Sequence, residues 1–131
     1  MIFIICIQPD PFYTAHEDEL CQAVRLLFDR YPAIREVRYG LSLIHRDDFR
    51  NTVFDPSLTP LISCRTLLET LIGEERLKDK AAEERICVIL FMADISEKAS
   101  LSDLCEEAEA HHIKIRLCFN RRIPLKNRKR E

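Results

Sequence analysis

Two carboxylates, Asp10 and Asp94, each follow the end of a wholly apolar stretch, "MIFIICI" at residues 1 to 7 and "ICVILFM" at residues 86 to 92. Runs of this kind read as strands covered on both faces, the centre of a parallel sheet. In such sheets ligands bind beyond the carboxyl ends of the strands, where the strand order reverses. If the two strands are neighbours, Asp10 and Asp94 face one crevice. Paired carboxylates there can raise one another's pKa for acid-base work or hold a Mg²⁺ ion. Asp also ends strands and opens turns, a role that needs no chemistry. The same rule of strand ends assigns Gln8, Tyr13, His16, His45, Asp47, Asp48, Ser96, Glu97, Lys98, Asn120 and Arg121 to the sheet's carboxyl end.

Other stretches carry reactive types without the spacing that reactions need. "HRDDFRN", residues 45 to 51, has the composition of a phosphotransferase catalytic loop, but Asp47 and Asn51 enclose three residues where such a loop has four. The chain holds only two glycines, Gly40 and Gly73, and no Gly-rich phosphate loop. A nucleotide site of the usual kind is thereby excluded, and no cofactor is expected. Six cysteines at 6, 21, 64, 87, 105 and 118 are never closer than thirteen residues apart, which is not zinc spacing. His111 and His112 sit at a helix end and have no local ligand partners, so no metal is expected. The cysteines fall among apolar neighbours and read as buried, reduced thiols.

The order of elements follows from periodicity. The first apolar strand gives way to "PDPF", after which Thr14 and Glu17 fit a capping box for a helix carrying Leu20, Val24, Leu27, Phe28 and Tyr31, ended by Pro32. Val37, Tyr39, Leu41 and Leu43 alternate with polar residues as a second strand at or beside an edge. A polar loop follows, with a short extended piece at "TVF". Thr59 and Pro60 fit the start of a second helix bearing Leu61, Cys64, Leu68, Leu71 and Ile72. Gly73 closes this helix, or the charged run "EERLKDKAAEER" extends it as a solvated arm. After the third strand, Ser100 caps a helix with Leu101, Leu104, Cys105 and Ala108 on one side, and Ile113 to Phe119 alternates as a fourth strand.

The resulting order βαβαβαβ predicts a single-domain, three-layer α/β/α fold over residues 1 to 120, with a mainly parallel four-stranded sheet, flavodoxin/Rossmann-like in general architecture. The stretch "ICVILFMADISEKASLSDLCEEAEAHHIKIRLCF" resembles the corresponding portion of nucleoside 2-deoxyribosyltransferase-like proteins and of TIR domains. The resemblance implies cleavage of an N-glycosidic bond with a helix Glu at the anomeric carbon. Glu107 and Glu109 flank the helix's apolar stripe and are the candidates for that role, whereas Glu106 points outward. Leu104 stands where TIR domains often carry Trp.

Charge is unevenly spread. The chain has twenty basic and twenty-two acidic residues, and the last eleven, "RRIPLKNRKRE", hold six basic and one acidic, so the tail is +5 and residues 1 to 120 are −7. Arg121, Arg122, Lys126, Arg128, Lys129 and Arg130 form a flexible basic terminus, able to meet phosphates weakly and without regard to sequence, or another protein. The apolar opening is too short for a membrane span, and no export signal is evident, so a cytoplasmic protein is expected, or a nuclear one in a eukaryotic or viral setting. By elimination, the sequence points to a small interaction or regulatory protein with another protein as its partner, a homodimer being compatible. The alternative is a nucleoside- or nucleotide-directed enzyme using Asp10, Asp94 and Glu107 or Glu109.

Overall fold

The computed structural model describes residues 1–34, 36–51, 61–93 and 95–118. It is an α/β fold around a five-stranded, mostly parallel mixed sheet. Strand β1 (Ile2–Ile7) lies at the centre, paired in parallel with β2 (Glu36–Tyr39) on one side and with β4 (Ile86–Phe91) on the other. Outside β2 runs β3 (Ser42–His45), antiparallel, and outside β4 runs β5 (Ile113–Cys118), parallel. The two apolar stretches are therefore direct neighbours, in register from Ile2 opposite Ile86 to Ile7 opposite Phe91.

Alternation along β1 divides the core. Ile5 and Ile7 face α1 (Pro11–Ala15) and α2 (Glu17–Arg30), where they meet Tyr13, Leu20, Val24 and Phe28. Ile4 and Cys6 face the opposite side, where α3 (Cys64–Ile72), α4 (Glu75–Glu83) and α5 (Ser102–Ala110) supply Cys64, Leu68, Leu71, Leu77, Leu104 and Ala108. Helices thus cover both faces. Every side chain of β4 is buried, which is why its sequence shows no alternation.

The stretch expected to be one strand is a hairpin, and this makes the fifth strand. Gly40 takes φ 61° while Leu41, like every described non-glycine residue except His112, keeps a negative φ. Gly at the first position of a two-residue loop fits a type II′ turn, whose twist matches paired antiparallel strands. Residues 37 to 43 alternate straight through that turn, so periodicity alone hides it. The consequence is positional. His45 lies opposite Glu36, and the 3-10 turn Arg46–Asn51 follows it, so His45 and Asp47 sit at the amino end of the parallel strands, not the carboxyl end.

Helix starts also differ from the sequence pattern. Asp10, not Thr14, opens the first helix: its carboxylate accepts from the Phe12 N–H at 2.8 Å, with Pro11 at the first helical position. His16 stands before α2 without a side-chain cap. Ser63 caps α3, accepting from Thr66 N–H at 3.1 Å; Thr59, Pro60 and the "TVF" piece lie outside the described residues. The charged run after Gly73 is a separate helix, α4, and Leu77 and Ala81 are enough to bury one of its faces. Ser100 belongs to the 3-10 turn Ile95–Leu101, and Leu101 occupies the cap position of α5. His112 closes that helix at φ 65°, the left-handed position after a C-cap.

No disulfide joins any of the six cysteines; Cys6, Cys64 and Cys87 are buried and Cys21, Cys105 and Cys118 half-buried. Burial pushes the Cys6 thiol from its ordinary 9.0 up to about 12. Because the folded value is the higher one, its contribution to stability is complete below pH 9 and is lost as pH rises towards 12. At pH 8 a thiol reagent is expected to label Cys6, Cys64 and Cys87 at the rate of global unfolding, while Cys21, Cys105 and Cys118 react earlier. Mass mapping after timed alkylation distinguishes the two groups.

Candidate functional site

Among the described residues, two places bear on chemistry or a partner: the carboxyl end of the central strands, and a groove over the β2–β3 hairpin. At the first, the chain leaves β1 towards α1 on one face, and enters β4 from α4 on the other. Strand order reverses between these two neighbours. At this junction stands Gln8, 5% exposed. Its carbonyl accepts from the Ala93 N–H at 2.9 Å and its amide donates to the Ile62 carbonyl at 3.3 Å. One side chain ties the exits of β1 and β4 to the approach of α3.

Tyr13 of α1 is 1% exposed, and its hydroxyl finds no hydrogen-bond partner among the described residues. Burial raises its pKa far above the ordinary range, with Cys118, Cys64 and Asp10 adding in the same direction. A phenol in this setting is a neutral, packed group. Gln8→Leu would leave a half-buried N–H and C=O unmatched, and a loss of about 1–2 kcal/mol is expected in urea unfolding. A change below 0.5 kcal/mol would show that the amide is not holding this junction.

The other sequence-derived candidates are dispersed. Asp10 is spent as a helix cap. Asp94 lies outside the described residues, as do Arg121, Arg122, Lys126, Arg128, Lys129 and Arg130. Glu109 pairs with Arg85, which directly precedes β4, and so stands at the amino end of the sheet. A six-residue strand is ~20 Å long, so Glu109 is about that far from Asp10. Glu107 is exposed, over a shallow hollow where Arg65 bridges to Asp103 at 3.0 Å and to Glu69 at 3.4 Å. The structure brings neither glutamate to Asp10. Among the described residues no group of three or more His, Cys, Asp or Glu side chains is arranged to hold a metal ion.

The second place joins the half-exposed second strand and the 74 to 85 arm, both readable as contact surfaces, while the groove between them is made by the hairpin and left no mark in the sequence. On the face that carries α3, α4 and α5, a groove of about 530 Å³ opens between α4 and the β2–β3 hairpin. Its floor carries Arg38 and Glu36 of β2, the far wall Leu41 and Leu43 of the hairpin, and the near wall Arg76, Leu77 and Lys80 of α4. Arg38 Nε donates to Glu36 at 2.7 Å, and its two terminal nitrogens donate to the two carboxylate oxygens of Glu74, one of them at 3.1 Å. Burial works against that charge, but the hydrogen bonds from Glu74 and Glu36 outweigh it and the guanidinium pKa is raised. The triad fastens α4 to the hairpin and fixes the shape of the groove.

Leu41 and Leu43 are 58% and 65% exposed, side by side on the rim. The opposite edge of the sheet is built differently: β5 presents the exposed Lys114 and Arg116 along its length, the charges that discourage strand-to-strand association. Sheet edges without such charges are where contacts form, and β3 carries none from Ser42 to Ile44. No described helix is long and apolar enough to cross a membrane. Comparison of the chain with models of known protein families, with curated proteins and with solved structures gives no match, so what this groove and the Gln8 junction can do has to be read from their own residues.

Proposed function

We propose that this chain is a small interaction or regulatory module, of the inhibitor, immunity or accessory kind, that acts by binding another protein over the β2–β3 hairpin. The observation that carries the proposal is the pair of exposed leucines, Leu41 and Leu43, on the rim of a groove held open by the Arg38–Glu36–Glu74 triad. Fixed shape, an apolar rim and an uncharged sheet edge are what a protein partner needs. The strand order and the helices on both faces support reading the domain as flavodoxin/Rossmann-like in general architecture. At the reversal point, where such domains usually take ligands, Gln8 bridges the exits of β1 and β4, and this packing favours surface contact over small-molecule chemistry.

Cross-linking tests the surface. Lys80 lies on the groove wall and Lys78 on the other side of α4. In the host's extract an amine-reactive cross-linker is expected to join a partner to Lys80 and not to Lys78; links distributed evenly over the lysines would argue against a contact in the groove. The basic tail, +5 over residues 121 to 131, supports an added weak nucleic-acid contact. Deleting these residues is expected to abolish salt-dependent retention on DNA, and unchanged retention would remove the tail from the account.

A further inference from the structure

We infer that the partner's contact element is an acidic, amphipathic segment of another protein, lying in the groove between α4 and the hairpin. This rests on the groove being the contact surface and adds the chemistry of what enters it. The charges decide. Glu36 and Glu74 both bond to Arg38, Glu74 through both carboxylate oxygens and Glu36 through one, so much of their charge is already met within the groove. Arg76 and Lys80 stand four residues apart on α4, and therefore on one side of it, exposed and with no carboxylate within ion-pair distance among the described residues.

The groove thus offers on one wall two cations that no described carboxylate pairs with and two exposed leucines on the other, with the buried Leu77 between the cations. A segment that places carboxylates towards α4 and apolar side chains towards β3 matches both walls at once. Single-stranded nucleic acid fits less well: it needs stacking partners for its bases, and the hairpin wall supplies aliphatic residues. A second copy docked hairpin to hairpin would match leucine with leucine but bring two more cations in place of carboxylates.

The test is selection from a display library of random 16-residue peptides on the wild-type chain. The expected peptides are rich in Asp or Glu interleaved with Leu, Ile or Phe. Each should bind the Arg76→Glu/Lys80→Glu chain about tenfold more weakly and show no detectable binding to the Leu41→Asp/Leu43→Asp chain. The milder Arg76→Gln/Lys80→Gln pair gives the same direction should charge reversal disturb folding. Peptides without acidic enrichment that lose binding only to the leucine variant would keep the groove as the contact surface and overturn the acidic partner. An empty selection, peptides that bind all variants alike, or sedimentation showing self-association through Leu41 and Leu43 would overturn the inference.

Discussion

Arg38→Ala is expected to lower stability by about 2 kcal/mol, or roughly 6–8 °C in Tm for a domain of this size. The side chain is 18% exposed and its two partners 27% and 34%, so the full penalty of a broken buried ion pair does not apply, but two carboxylates would be left facing one another without a counter-charge. The origin of the loss can be checked by removing the repulsion. Glu74→Gln in the Arg38→Ala background should restore about half of it, whereas in the wild type the same change should cost stability, because it removes one half of a bidentate pair. Differential scanning calorimetry of the four proteins gives the coupling directly. Additive losses would mean that Arg38 acts through packing and that the groove is not held by charge.

Leu41→Asp/Leu43→Asp is expected to have the opposite profile, with little effect on Tm and loss of partner binding by a hundredfold or more. Both side chains are already mostly in water, so the folded chain loses little apolar burial when they are replaced. In a complex they would be covered, and a carboxylate buried there unpaired costs several kcal/mol. The acidic partner proposed above would add repulsion to this. Isothermal titration with the partner identified by cross-linking, beside a melt of the free variant, separates the two effects. A variant that melts early would show the leucines to be part of the fold, and one that binds normally would move the interface elsewhere.

How much of this was readable from the sequence depends on the physical signal each element leaves. β1 and β4 were legible because strands buried on both faces need unbroken apolar runs, whereas their adjacency stood only as a condition, since the crossover rule fixes the hand of a connection and not the strand order. The hairpin was hidden because Gly40 occupies a polar position in an alternating pattern, so the chain reverses without interrupting the alternation. That single turn moved His45 and Asp47 to the other end of the sheet and created the groove. "NG" or "DG" would have announced it, whereas "YGLS" does not.

The triad could not have been foreseen from spacing, because Arg38 and Glu74 are thirty-six residues apart and come together only when the crossover from the hairpin lays α4 over β1 and β2. α4 itself read as a solvated arm. Two apolar residues at i and i+4, Leu77 and Ala81, proved enough to seat it, because the neighbouring strands already supplied a continuous apolar floor. The switch-point rule correctly pointed to Gln8 as a residue at the end of β1, but which side chain bridges such a junction depends on the Ala93 and Ile62 backbone groups that converge there. A buried Gln leaves no mark in sequence that separates it from a surface one.

Hydrogen–deuterium exchange on the chain with and without its cross-linked partner addresses the central claim most directly, since it reports where the backbone is covered and needs no substitution. The account predicts slowed exchange at Glu36–His45 and over Arg76–Lys80, with Gln8–His16 and Met92–Ala93 unchanged. Protection confined to Gln8–His16 and Met92–Ala93, with the hairpin exchanging as in the free chain, would contradict it and return the site to the carboxyl end of the sheet.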